Sequence, residues 1–386
     1  MSSGRSLACF VRRARLALRV LAMFGALACG AVFAACSTPS ATEALPFGAR
    51  AEDCASCHAD HAAEWRTSPH ARAAASPVFA AMLPVVESAW GVVARQRCEG
   101  CHAPGHGGDE GIGCVSCHAA VGNQAERDGL LDVELAAPLA GPLGHAGLAT
   151  DAHRSSPRTL LTNESLCGTC HEITGPGLLR EPTLSEYRAS PEAAAGMTCI
   201  DCHAPPVDDR RLTAETPKRR SRSHAFVGFD PPWGAPPADA AAAAAATREL
   251  LASALALRIE TRPDGTREVV VENVGAGHRV PTGAAFLRDL WVDLELDGAA
   301  ASAPILRIGD QPTRDGRPVA LLTDADAVTV GSLGSGETVR ATLPPATRVI
   351  ARLRGRAVRS TVLEALDIVE LAAQLPTHEI ATAISE

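Results

Sequence analysis

The chain is short of the side chains that ordinarily fill a protein interior. Phe, Trp and Tyr make up 3% of its 386 residues, with a single tyrosine. A chain of this length suits two packed domains, so something other than aromatic side chains has to supply bulk. Spare cysteine is missing too. Of thirteen cysteines, Cys9, Cys29 and Cys36 lie near the N-terminus and the other ten belong to one repeated motif, which leaves none for a disulfide framework. Methionine is scarce, with only Met82 and Met197 beyond the N-terminal segment. The longest apolar stretch, Val20 to Ala35, falls short of the about 20 residues that a membrane-spanning helix needs. A formal net charge of −8, with no aromatic–basic surface, argues against nucleic acid as a partner.

What the chain has instead is five copies of Cys-x-x-Cys-His: Cys54-Cys57-His58, Cys98-Cys101-His102, Cys114-Cys117-His118, Cys167-Cys170-His171 and Cys199-Cys202-His203. Each has the spacing for covalent c-type haem. Two sulfurs form thioethers with the haem vinyl groups, and the adjoining histidine becomes the proximal iron ligand. Zinc ribbons, iron–sulfur clusters and redox dithiols also use Cys-x-x-Cys pairs. None of them requires a histidine directly after the second cysteine, yet all five pairs have one. Five covalently bound haems, with iron, are therefore the expected cofactors. Large flat apolar porphyrins resolve the shortage of core aromatics, and their propionates make the loaded protein more acidic still.

Haem iron usually takes a second axial ligand. Without methionine to provide it, histidine is the economical source, and the potentials should be low. Five of the remaining histidines are the candidates for the distal position. His70 follows a Ser-Pro helix start near the first motif, and His153 lies fourteen residues before Cys167. His224 closes the motif-bearing region, and His106 sits in a glycine-rich loop between two motifs. His278, in Gly275-Ala276-Gly277-His278-Arg279-Val280-Pro281-Thr282-Gly283, has glycines that permit close backbone approach to a flat ligand. His145 competes with His153. His61 is too near His58 to reach another iron readily, and His378 reads as structural.

A basic segment with Arg5, Arg12, Arg13, Arg15 and Arg19 precedes the apolar stretch, as in an export signal spanning residues 1–35. Ala34 and Ala35 before Cys36 resemble a lipoprotein cleavage box, with Cys36 as the acylated residue; ordinary cleavage near Ala34 is the alternative. The mature chain is then periplasmic or anchored at the outer membrane. Residues 36–50 read as a flexible tether and 51–230 as the pentahaem domain of loops and short helices. Residues 231–250 form a Pro/Ala linker and helix. After residue 251 alternating runs and turn residues read as an antiparallel β-sandwich-like domain to residue 386. The fold class is α+β. An internal echo aligns Glu64-Trp65-Arg66-Thr67-Ser68-Pro69-His70 with Glu186-Tyr187-Arg188-Ala189-Ser190-Pro191-Glu192. It implies two Ser-capped, Pro-initiated helix starts, of which only the first carries a histidine.

The Cys-x-x-Cys-His motif followed by Trp65-x-x-Ser68-x-His70, together with Ser165-Leu166-Cys167-Gly168-Thr169-Cys170-His171-Glu172, resembles multihaem cytochromes of the cytochrome c-554 and c-prime type. The His224 segment and the Gly277-His278-x-x-Pro281-Thr282-Gly283 turn resemble a subgroup with a C-terminal β-domain. This resemblance implies periplasmic electron transfer through closely packed, mostly bis-His haems.

The leading expectation is an electron carrier whose partners are redox proteins, membrane-bound or other cytochromes. An oxidoreductase with one five-coordinate haem, acting on a small nitrogen or sulfur compound, is the first alternative. No lysine replaces a proximal histidine in any motif, which removes one sign of nitrite-reductase-like chemistry. A β-domain that docks a partner while the haems report redox state is the second.

Overall fold

The computed structural model describes residues 50–104, 110–123, 131–133, 139–141, 153, 155–157 and 159–385. Cys36, His106 and His145 lie outside the described residues, as do the export segment and most of the tether. Residues Ala149–His153 group with the N-terminal Met1–Glu43, while Ala44–Leu148 and Arg154–Glu386 form the other compact unit. The motifs and the strands therefore share one unit, and His153 belongs to the other.

The motif-bearing half is built from helices α1 (Ala51–Ala55), α2 (Ala59–Arg66), α3 (Pro69–Arg72), α4 (Pro77–Trp90), α5 (Val92–His102), α6 (Cys114–His118), α7 (Glu164–Gly168), α8 (Thr183–Arg188), α9 (Pro191–Ala194) and α10 (Cys199–His203). Both arms of the echo form as the Ser-Pro pairs dictate. The Ser68 hydroxyl accepts the Ala71 amide at 3.1 Å and the Ser190 hydroxyl accepts the Ala193 amide at 3.2 Å, satisfying donors that a helix start leaves open. The Ser76 hydroxyl caps α4 in the same way. This helix reaches 14 residues, longer than the short pieces expected, and Gly91 at φ +84° turns it into α5.

A hairpin follows, β1 (Pro206–Arg210) with β2 (Arg219–Arg222). The alanine run folds as α11 (Pro237–Ala254), as alanine's helix propensity favours. The remaining labelled elements are β3 (Leu255–Thr261), β4 (Arg267–Asn273), β5 (Asp289–Leu296), β6 (Leu306–Ile308), β7 (Thr338–Thr342), β8 (Val349–Arg356), α12 (Ser360–Ala365) and β9 (His378–Ser385). They make two antiparallel sheets, ordered β7-β4-β3 and, in the larger one, β5-β8-β9 with β6 against β5.

Period-two alternation decides which side chains go inward. Leu290, Val292 and Leu294 of β5 are buried with Val349, Ala351 and Leu353 of β8 and Val269 and Val271 of β4 in one core. Outward-facing Asp289, Asp293 and Glu295 pair with Arg356, Arg354 and Arg352 on the neighbouring strand. Each fully buried Leu or Val here contributes about 1.5–3 kcal/mol. A second cluster joins Val78 of α4 to Trp233, Leu321, Val362 and Leu363, so the longest described helix of the motif-bearing half docks on the strand-rich half. By contrast the side-chain cluster beneath the first motif holds only Ala51, Trp65 and Ala71, with Cys114 packed against it.

Candidate haem-iron centres

Every motif closes at least one helical turn. The His58 amide bonds to the Cys54 carbonyl at 2.8 Å and the His171 amide to the Cys167 carbonyl at 3.0 Å. Positions i, i+3 and i+4 of such a turn lie on one face, so both sulfurs and the imidazole of each motif point the same way.

All five imidazoles are oriented alike. Nδ1 of His58 meets the Leu212 carbonyl at 2.8 Å, His102 that of Ala73 at 3.3 Å, His118 that of Ala140 at 2.6 Å and His203 that of Val227 at 2.7 Å. His171 instead donates to the Glu181 carboxylate at 2.6 Å. Each partner is an acceptor, so each Nδ1 carries the proton and each Nε2 is left with its lone pair, which is how metal-ligating histidines are held. Burial draws the His171 pKa down, yet the hydrogen bond and charge of Glu181 outweigh it and the net shift is upward. Phe79 stacks on His102 with centroids 4.0 Å apart and an interplanar angle of 4°, fixing the ring's rotation.

Two further imidazoles face motif histidines across a gap. His224 lies with its centroid 6.3 Å from that of His118 at 7° between planes, and His278 lies 6.3 Å from His203 at 20°. Two metal–imidazole bonds of about 2 Å, plus a ring radius at each end, put the centroids of a bis-imidazole pair about 6 Å apart. Nδ1 of His224 meets the Arg222 carbonyl at 3.1 Å and Nδ1 of His278 the Arg279 carbonyl at 2.9 Å, again leaving Nε2 outward. Burial, then the positive potential of His118 and His61, pushes the His224 pKa down to about 4. Burial lowers that of His278 as well. Both rings are thus held neutral, the form that binds metal.

His70, half-buried, packs against Phe226, with ring centroids 4.8 Å apart. Burial, with His171 and His203 next, pushes its pKa down to about 3. The segment that precedes α6 locks it. The Ile112 amide donates to the His70 carbonyl at 2.9 Å, and the Trp65 indole donates to the Ile112 carbonyl at 2.8 Å. Gly111 is indispensable there, since a Cβ would lie 2.1 Å from the His70 carbonyl oxygen.

His278 is positioned by the second arm of the echo. A Cβ on Gly277 would meet Ser190 Oγ at 2.8 Å, Glu192 Cβ at 3.2 Å and Tyr187 Cδ2 at 3.3 Å. The Arg279 amide donates to Glu186 at 2.9 Å, and the hydroxyls of Thr183 and Thr282 meet at 2.5 Å. The loop from the strand-rich half therefore lies along α8 and α9, bringing in a histidine where the second copy of the repeat has Glu192. The fully buried Asn273 clamps the loop, its amide donating to the His278 and Leu333 carbonyls at 2.9 and 3.0 Å while its oxygen accepts the Ala276 amide at 3.0 Å.

Sequence reasoning did not find Glu181, Phe79 or Asn273 in these roles. Asn273 lies two residues before the glycine-rich His278 segment, whereas the other two carried no local signal. His61 is set between His58 (6.4 Å, 87°) and His224 (4.8 Å, 88°), and its Nδ1 is buried without a partner. His378 is buried in β9, 6.0 Å from Phe229. Met82 packs with the α4 cluster, and Met197 is exposed.

The residues fit haem. None of the ten motif cysteines is in a disulfide, and the buried Nε of Arg72 is a donor lacking an acceptor, as an anionic propionate would supply. Among the described residues, no group of three or more His, Cys, Asp or Glu is arranged to hold a bare metal ion, unlike a zinc ribbon. The motifs also act on one another. The thiols of Cys54 and Cys114, Cys101 and Cys170, and Cys167 and Cys199 perturb each other's ionisation, and Cys117 acts electrostatically on Cys167 and Cys170. Among the described residues no helix is long and apolar enough to cross a membrane.

Residues 53–119 match the family described as cytochrome c554 and c-prime. No curated protein matches the chain. Among solved structures, the fold is similar to that of a penta-heme cytochrome c552 from Thermochromatium tepidum, with a TM-score of 0.63 and 18% sequence identity over 88% of this chain and 100% of that one. Over residues 53–119 the chain is similar to that family, and its fold, a region of short helices followed by a β-rich domain, is similar to that of the penta-heme cytochrome.

Proposed function

We propose that this chain is an exported pentahaem c-type cytochrome that passes electrons through closely spaced, mostly bis-His irons. When bound, haem supplies a one-electron iron couple, and the protein's part is to space, ligate and tune it. The observation that carries the reading is the pair of 6.3 Å imidazole gaps, His118 to His224 and His203 to His278. In this assignment the ten motif cysteines form the thioethers and the five motif histidines are proximal ligands. His224 serves motif three and His278 motif five. His70, whose imidazole feels the charge of His171, serves motif four. His106 and His153 stay distal candidates on sequence alone, assigned to no motif. Export through residues 1–35 and a lipid on Cys36 complete the proposal, and the relative's five haems agree with the motif count.

The thiol interactions suggest a path. Motif one adjoins three, three approaches four, and four adjoins both two and five. Electrons would run one–three–four–five, with two as a side branch. Haem stoichiometry and coulometry test the proposal together. Pyridine haemochrome analysis should return five c-type haems per chain, and full reduction should take up five electrons at low potentials. Two or fewer haems, or haems that do not cycle, would remove it.

A further inference from the structure

Resting on the electron-transfer reading, we infer that the β1–β2 hairpin (Pro206–Arg222) is the docking surface for an acidic redox protein, beside the two most solvent-facing haem attachments. Of the ten motif cysteines only Cys57 and Cys202, in motifs one and five, are exposed. The hairpin is tied to both motifs. Its Leu212 carbonyl accepts Nδ1–H of His58, while Arg222 donates to the Ile200 carbonyl at 3.2 Å and to Asp201 at 2.6 Å, both in α10. Thr216 Oγ1 accepts the Leu212 and Thr213 amides, each at 2.9 Å, so the tip has a defined shape.

Its charge opposes that of the whole chain. Residues 206–222 carry six cations against three anions in a chain whose formal net charge is −8. Arg210 and Arg222 are consumed inward by Glu64 and Asp201. Arg211, Lys218 and Arg220 are exposed; Lys218 is the chain's one lysine. The 3.7 Å contact of Arg220 with Asp208, both highly exposed, holds little free energy. A cationic patch on an acidic protein steers an anionic surface to one place and repels it elsewhere. Interspersed Asp208, Asp209 and Glu215, and the lack of aromatic side chains in the hairpin, favour an acidic protein over a lipid surface.

Stopped-flow oxidation of the reduced, fully haem-loaded protein tests this, with hexacyanoferrate(III) as the anionic probe and tris(phenanthroline)cobalt(III) as the cationic one. At low ionic strength the variant Lys218→Glu/Arg220→Glu should react roughly tenfold slower with the anion and faster with the cation, the gap closing near ~0.5 M salt. Arg314→Glu/Arg317→Glu, the same change in net charge at exposed positions of the strand-rich half, should stay near wild type. Equal slowing of both variants, or of neither, overturns the docking surface. Binding of the wild type but not the hairpin variant to phosphatidylglycerol vesicles, with unchanged probe kinetics, would assign the hairpin to lipid and also overturn it. A fully loaded wild type that exchanges electrons with neither probe would remove the electron-transfer reading itself.

Discussion

At the residue scale the five motif histidines differ in one respect that chemistry can measure. Four donate Nδ1–H to a neutral carbonyl, whereas His171 donates to the Glu181 carboxylate, whose side chain is 12% exposed. A carboxylate partner makes the imidazole a stronger donor to iron and favours the oxidised state. Glu181→Gln should therefore raise one haem potential, by about 60 mV if the preference changes tenfold for a one-electron couple. A redox titration followed by magnetic circular dichroism checks this; an unmoved set of potentials contradicts it. The motifs were legible from spacing alone, because cysteine and histidine sit next to one another in the chain. Glu181 was not, since nothing in Arg180-Glu181-Pro182 marks it as a partner of an imidazole ten residues away.

At the scale of elements, the His278 loop and the α3 start work by close backbone approach. Gly277→Ala places a methyl group 2.8 Å from Ser190 Oγ, against Glu192 and Tyr187, and should push His278 off its iron while leaving the other haems low-spin. Asn273→Ala removes three hydrogen bonds from a fully buried clamp and leaves carbonyls unsatisfied, at about 1–3 kcal/mol. It should loosen the same single site and lower the thermal midpoint. Both are read from the fraction of high-spin signal in the oxidised spectrum. The strands at Leu255, Asp289 and Val349 were visible as alternating runs ended by turn residues. The 14-residue α4 was less so, because Pro84 interrupts its pattern and its buried face is completed by Trp233 and Val362, remote in sequence. The repeat forecast two helix starts; that a loop some ninety residues onward would meet the second depends on tertiary packing, which spacing does not encode.

For the whole molecule, the two halves are stabilised differently. Side chains alone fill the strand-rich half, where Leu290, Ile308 and Leu353 are fully buried; Leu353→Ala should cost about 2–5 kcal/mol there. Among the described residues, the apolar cluster at the first motif holds only Ala51, Trp65 and Ala71, and close packing leaves no interior comfortably empty. A chain with all ten motif cysteines changed to alanine should therefore keep its strand signal in circular dichroism. Hydrogen exchange should show protection lost from residues 51–104 and 159–204, and retained in β4, β5 and β8. Uniform protection across both halves would contradict porphyrin as interior. The shortage of aromatics in the sequence points to this division, and the small cluster at the first motif agrees with it.

The most direct measurement of the iron assignments is low-temperature electron paramagnetic resonance of the oxidised protein, compared with His224→Ala and His278→Ala. Wild type should contain low-spin signals of nearly parallel imidazoles, as the 7° and 20° angles require. Each variant should lose one such signal and gain one high-spin iron, the two changes adding in the double variant. Spectra identical to wild type in both variants would show that neither imidazole reaches an iron, and the account would fail.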